Sequence, residues 1–137
     1  MRTMHEVEIK NMLRIADDGR FRAYAPYSNF HVGACIKGAS GAYYLGCNIE
    51  NAAYSPTNCA ERTAVFKAVS EGEKEFEALA ILWDGEGYAT PCGVCRQVLA
   101  EFCPPDMPII CANREGKYKI YSLAELLPES FTRKDLV

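Results

Sequence analysis

The sequence predicts an α/β fold, a three-layer α/β/α sandwich built on a five-stranded mixed sheet. Three observations predict it. Segments of helical and strand character alternate along the chain in the order αββαβαβ-β-α. Phe76 to Trp83 is an apolar run of strand length, expected at the centre of the sheet. Ala60, Ala64 and Ala68 give one predicted helix a face of small residues, suited to close packing on a sheet. Helices on both faces of a mixed sheet are the simplest architecture that buries all of these surfaces.

The elements follow in order. Thr3-Met4-His5-Glu6 has the form of a capping box, and Ile9, Met12, Leu13 and Ala16 then share one helical face. Pro26 lies beyond the end of that helix. Residues 31–37 and 42–49 read as strands, and Gly38-Ala39-Ser40-Gly41 between them is turn chemistry, so a β-hairpin is expected. Pro56 discourages helix before Asn58. Asn58 is a suitable N-cap for a helix over 59–71, with Gly72 at its end. A second central helix is expected over 92–103, stopped by Pro104-Pro105. Strands over 107–112 and 117–121 complete the sheet. Ser122-Leu123-Ala124-Glu125 opens a short last helix that stops before Pro128.

The chain has 137 residues, enough for one domain with a real core, and residues 1–137 are expected to form a single unit. The formal net charge of −3 counts against a nucleic-acid partner, which usually leaves a basic footprint. No apolar run approaches the roughly 18 residues of a membrane span. The first residues lack the apolar core of a signal peptide, so a cytoplasmic location is expected. In that setting the seven cysteines read as thiols or metal ligands rather than a disulfide framework.

The chemistry concentrates in Asn58-Cys59-Ala60-Glu61-Arg62-Thr63-Ala64 and Thr90-Pro91-Cys92-Gly93-Val94-Cys95-Arg96-Gln97. Cys92 and Cys95 are three apart, so one helical turn puts both sulfurs on the same side. Cys59 opens the other central helix. Three thiolates can bind one Zn²⁺ and leave a coordination position open for water. The competing reading is a closed four-cysteine zinc knot. That arrangement usually shows two Cys-x-x-Cys pairs, whereas Pro56 and Arg62 flank Cys59 at that spacing. Cys35, Cys47, Cys103 and Cys111 lie in or beside apolar segments and read as packing residues. His5 and His31 have no ligand spacing.

Glu61 would by itself be a solvated helix residue. Beside a metal it is placed to move protons to and from water. On a regular helix it would point away from Cys59, but directions are looser near a cap. Arg62, three residues after Cys59, can donate to the thiolate and offset the net charge of three thiolates on Zn²⁺. The alternative for Arg62 is a surface ion pair. Arg96, beside Cys95, is a second candidate for the same role. Phe30 reads as core, and Asn48 and Glu50 as turn residues, on their own.

The same motifs resemble the zinc nucleobase deaminases. With Ala23-Tyr24-Ala25-Pro26-Tyr27-Ser28-Asn29-Phe30-His31-Val32-Gly33-Ala34, Gly46-Cys47-Asn48-Ile49-Glu50-Asn51-Ala52-Ala53-Tyr54 and the tail Leu126-Leu127-Pro128-Glu129-Ser130-Phe131, the chain resembles the small cytidine deaminases in register over nearly its whole length. That resemblance implies zinc-dependent deamination of cytidine and deoxycytidine, a step of pyrimidine salvage. It implies one zinc per chain on Cys59, Cys92 and Cys95, with Glu61 as the proton carrier. It makes Asn48 and Glu50 ribose ligands, Phe30 a wall for the base, and Ala60 a backbone contact to the pyrimidine. It implies a homotetramer in which Ala52, Tyr54 and Phe131 come from neighbouring subunits. The chain departs from common family spellings at Cys35 and at Pro56-Thr57. Two rivals remain: a deaminase of a modified cytosine nucleoside such as blasticidin, and a structural zinc protein that only binds partners.

Overall fold

The computed structural model of the chain describes residues 1–136. Helix α1, Glu6–Arg22, precedes the hairpin of β1, Val32–Gly38, and β2, Tyr43–Cys47. Helix α2, Ala60–Ser70, leads into β3, Phe76–Trp83. Helix α3, Gly93–Phe102, then precedes β4, Pro108–Ala112, β5, Tyr118–Ser122, and the short α4, Leu123–Leu126. The strands form one sheet in the order β2-β1-β3-β4-β5. β3 is central, pairing antiparallel with β1 and parallel with β4. The sheet is therefore mixed, as the sequence predicts.

Strand alternation builds two cores. On β3, Leu79 and Ile81 face α2 and α3, while Ala78, Ala80 and Leu82 face α1. On β4, Ile109 and Cys111 join the first core, and Ile110 and Ala112 the second. Ile9, Met12, Leu13 and Ala16 of α1 cover the second core, as their helical spacing predicts. Each buried Leu or Ile stabilises the fold by roughly 1.5–3 kcal/mol relative to an exposed one.

Two helix starts differ from expectation. No capping box forms at Thr3; α1 begins at Glu6 behind an extended His5 that makes no side-chain cap. The residues before it are held differently: Met4 packs on the α1-side core, and Arg2 reaches Glu8 at 3.2 Å. Nor is Asn58 the cap of α2. Its backbone N–H and C=O are both bonded to Ile49, each at 2.9 Å. That bridge keeps Asn58 extended, and the cap passes to Cys59. A 3₁₀ turn over Arg133–Asp135, capped by Thr132, lies outside the sequence expectation. The capping box at Ser122 and Glu125 forms as expected.

Glycine at position 46 sets the approach of α2 to the hairpin. A Cβ there would stand 2.2 Å from the Ala60 carbonyl oxygen and 2.6 Å from the Ala64 nitrogen. Backbone packs against backbone at this point, so the first turn of α2 has nowhere to yield. Gly46→Ala should therefore destabilise by about 1–3 kcal/mol through overpacking. Thermal denaturation should show a Tm lower by roughly 3–10 °C. Gly93→Ala, where an added Cβ meets no atom within 4 Å, should leave Tm unchanged or slightly raised.

Candidate active site

Two helix N-termini meet beyond the carboxyl end of β3. Cys59 is the N-cap residue of α2 and Cys92 the N-cap residue of α3. Cys95 lies in the first turn of α3, and its backbone N–H donates to the Cys92 sulfur at 3.4 Å. The Cys59 and Cys92 sulfurs are 3.8 Å apart, and all three sulfurs lie within 4.8 Å of one another. Sulfurs about 2.3 Å from a tetrahedral Zn²⁺ would be about 3.8 Å apart, so the donor set fits that ion. Among the described residues no other group of His, Cys, Asp or Glu is gathered this way.

Electrostatics point to the same ion. The Cys59 thiol is held down to about 5, first by the hydrogen bond from Cys95 and then by Arg62. The Cys95 thiol is pushed up, by that same contact with Cys59 and by burial. Cys59 therefore ionises ahead of Cys95, and a divalent cation would favour thiolate at every sulfur that binds it. Arg62 donates from Nη2 to the Cys59 sulfur at 3.3 Å. Burial works against the charge on Arg62, but the contacts with Cys59 and Cys95 outweigh it and raise its pKa. Its Nε is buried with no acceptor among the described residues. Arg96 takes no part in this, because it donates to the Pro91 carbonyl at 2.7 Å and to the Leu126 carbonyl at 2.6 Å.

Glu61 is 5 % exposed, so it is not the solvated helix residue its type suggests. Burial pushes its carboxyl up to about 7, and the Cys59 thiolate pushes in the same direction. Cys95 and Arg62 pull the other way. A carboxyl near 7 both accepts and releases protons at neutral pH.

Glu61 borders a cavity of about 340 Å³ that runs from the cysteines to Glu50. Phe30, Val32, Ile81 and Trp83 form its apolar wall, and Asn48 and Ala60 also line it. The Glu50 carboxylate accepts from the backbone N–H groups of Tyr27 (3.0 Å) and Ser28 (3.1 Å) and from the Ser28 hydroxyl. The Ser28 hydroxyl is the main cause that holds its carboxyl below the usual range. A carboxylate offers about four acceptor positions, so one remains for a ligand hydroxyl. Asn48 accepts from the Val32 N–H at 2.9 Å and donates to the Phe30 carbonyl at 2.8 Å. One amide hydrogen of Asn48 stays available.

The remaining sequence-derived candidates lie outside this cavity. Ala52 and Tyr54 are exposed, and the Phe131 ring is 57 % exposed. Gln97 holds the Phe131 carbonyl at 2.8 Å. Cys35, Cys103 and Cys111 are buried and Cys47 is half-buried, away from the gathered sulfurs. Sequence reasoning missed Trp83, which reads only as the end of a strand. Its position at the carboxyl end of a strand in a parallel pair was the available signal.

Residues 7–111 match the family described as the cytidine and deoxycytidylate deaminase zinc-binding region. The cytidine deaminase of Sporosarcina psychrophila is 49% identical over 130 residues, covering 95% of this chain and 96% of that one. The cytidine deaminase of Halalkalibacterium halodurans is 46% identical over 125 residues, covering 91% and 95%. The crystal structure of cytidine deaminase from Burkholderia pseudomallei superposes with a TM-score of 0.87 at 40% identity, covering 93% of this chain and 100% of that one.

Removing one sulfur should empty the centre. Cys59→Ala should take zinc, measured by inductively coupled plasma mass spectrometry, from about one per chain to near zero. Cys103→Ala, a buried cysteine outside the cluster, should retain the full amount. Equal zinc in both variants would contradict the assignment.

Proposed function

The chain belongs to the cytidine and deoxycytidylate deaminase family, and we propose that it converts cytidine and deoxycytidine to uridine and deoxyuridine with release of ammonia. The observation that carries this reading is the buried Glu61 carboxyl beside three gathered cysteines at one end of a cavity whose other end is Glu50. Cys59, Cys92 and Cys95 hold Zn²⁺, which supplies Lewis-acid activation of a water. Glu61 takes a proton from the attacking water and delivers it to N3 of the cytosine. The water oxygen bonds to C4. Glu61 then carries the second proton of that oxygen, from the C4 hydroxyl, to the amine; the C4=O bond forms as the C4–N bond breaks, and ammonia departs. Glu61 ends as it began, so the cycle needs no other proton carrier.

Asn48 and Glu50 bind the sugar. The free acceptor of Glu50 suits a neutral hydroxyl, and its charge repels a phosphate. Phe30 lies against the base, and the Ala60 backbone contacts the ring. A purely structural zinc protein would need neither the cavity nor the buried Glu61.

The functional unit is a homotetramer in this reading. Phe131, Tyr54 and Ala52 stay off their own cavity, and the two aromatic rings are largely exposed in the isolated chain. In the assembly they cross to neighbouring subunits and close the nucleoside site, so assembly and catalysis are coupled.

Ammonia release tests the reaction directly. Cytidine and deoxycytidine should be turned over, cytidine monophosphate far more slowly, and adenosine not at all. Glu61→Gln should lower turnover by about 10² to 10⁴-fold while zinc stays near one per chain. Loss of zinc from that variant would make Glu61 a ligand and refute the proton-carrier role.

The crossing of Phe131 has its own test. Inactive Glu61→Gln chains mixed with Phe131→Ala chains should show more activity than the two parents summed. Some mixed assemblies then combine an intact Glu61 with an intact Phe131 from the neighbour. Strict additivity, once subunit exchange is seen by native mass spectrometry, would mean that Phe131 serves its own chain.

A further inference from the structure

Trp83 is the chain's one tryptophan, and Asp84 follows it. Together they grip Phe30 and His31. The Trp83 ring meets the Phe30 ring edge to face, with centroids 5.0 Å apart and planes at 77°. The indole N–H donates to the Gly87 carbonyl at 2.6 Å, so the ring is fixed from its other side as well. One Asp84 oxygen accepts from the His31 backbone N–H at 2.9 Å and bonds His31 Nδ1 at 2.8 Å. The other accepts from Arg20 Nη1 at 2.9 Å. The Asp84 backbone N–H donates back to the His31 carbonyl at 3.2 Å. Arg20 is itself anchored to Asp17 at 2.8 Å.

This clamp holds more than one wall residue. The Phe30 carbonyl is the acceptor for Asn48, and the Val32 N–H is the donor to it. A shift of the 30–32 segment would therefore turn the Asn48 amide too. Neither Trp83 nor Asp84 hydrogen-bonds to the cysteines or to Glu61, so the clamp bears on the nucleoside end of the cavity and not on the metal end.

We infer that Trp83 and Asp84 are positioning residues for the nucleoside: they fix Phe30, and through its carbonyl Asn48, in the orientation that receives base and sugar. The inference rests on nucleoside deamination being the reaction. It assigns the pair to substrate affinity and leaves the chemical step to Glu61. An ion cluster that only stabilised the fold would lower Tm and leave KM alone.

The experiment compares wild type, Asp84→Ala, Asp84→Asn, Trp83→Ala and Trp83→Phe in cytidine kinetics, zinc content and thermal denaturation. Asp84→Ala and Trp83→Ala should each raise KM about 10-fold or more with kcat within about 3-fold of wild type, the signature of lost uniform binding. Zinc should stay near one per chain. Asp84→Asn keeps an acceptor for the His31 N–H, and Trp83→Phe keeps an aromatic edge, so both should recover most of the KM. The emission of Trp83 gives a readout independent of turnover. Uridine should quench it in the wild type, and the quench should saturate at a higher uridine concentration in Asp84→Ala. A wild type that deaminates cytidine, with KM unchanged in Trp83→Ala and Asp84→Ala, overturns the inference alone. So does a loss of kcat at constant KM, or a loss of zinc. A wild type inactive on cytidine overturns the nucleoside reading and this inference with it. If Asp84→Ala does not fold, Arg20→Ala, which removes the anchor of Asp84 without touching the cavity, decides by the same criterion.

Discussion

Three cysteine sulfurs held within 4.8 Å of one another are the constraint on which this structure turns. Three thiolates at that distance repel strongly, and without a cation only one of the Cys59 and Cys95 pair ionises readily. The fold must bring the sulfurs together before it can bind the ion that relieves them. It does so by aiming two helix N-termini at one point, where their partial positive charge favours thiolate. α2 reaches that point only because glycine at position 46 lets its first turn rest on the hairpin. Arg62 adds a full positive charge at the Cys59 sulfur. Sheet packing, helix capping and metal affinity are thus consequences of one arrangement.

Much of that arrangement was legible in the sequence, for local reasons. The Cys92 to Cys95 spacing fixes two sulfurs on one turn, and the continuous apolar run Phe76–Trp83 fixes a strand buried on both faces. The relation of Glu61 to Cys59 is less local. Two helical positions apart, they should diverge. Cys59, however, has extended backbone angles of φ −75° and ψ 157°, so it does not belong to the helical wheel at all. The cap position frees its sulfur to face the same space as Glu61. Asn58 departs from expectation for a related reason, because a long-range bridge to Ile49 outweighs its local preference for capping.

What stayed hidden depends on register. Trp83 lies opposite Val32 across the β1–β3 pair, and that register brings the Trp83-Asp84 corner onto Phe30 and His31. Residues more than fifty positions apart share no local signal. The fate of Arg96 was equally hidden. Its donors go to carbonyls of Pro91 and Leu126, which ties α3 to the end of α4 and leaves Arg62 to act on the sulfurs. Adjacency to Cys95 in sequence carried no information about where a long side chain ends.

Left-handed backbone outside glycine is confined, among the described residues, to three loops that each carry an aromatic side chain. Among the described residues, the non-glycine positions with positive φ are Asn29, Tyr54 and Glu129. For Tyr54 and Glu129 this is sterically unfavourable by roughly 1–3 kcal/mol, whereas asparagine adopts it more readily. Asn29 immediately precedes Phe30, Tyr54 carries its own ring, and Glu129 stands two residues before Phe131. Each lies in a loop that carries an aromatic side chain: Phe30, which lines the cavity, and Tyr54 and Phe131, which lie outside it. Phe30 meets its partner ring within the chain. The Tyr54 ring meets Tyr27 edge to face with centroids 6.4 Å apart and the residue is 72 % exposed, and Phe131 remains open to solvent. Strain that holds a ring in water stabilises nothing in a lone chain. In the proposed homotetramer a neighbouring subunit would cover those rings.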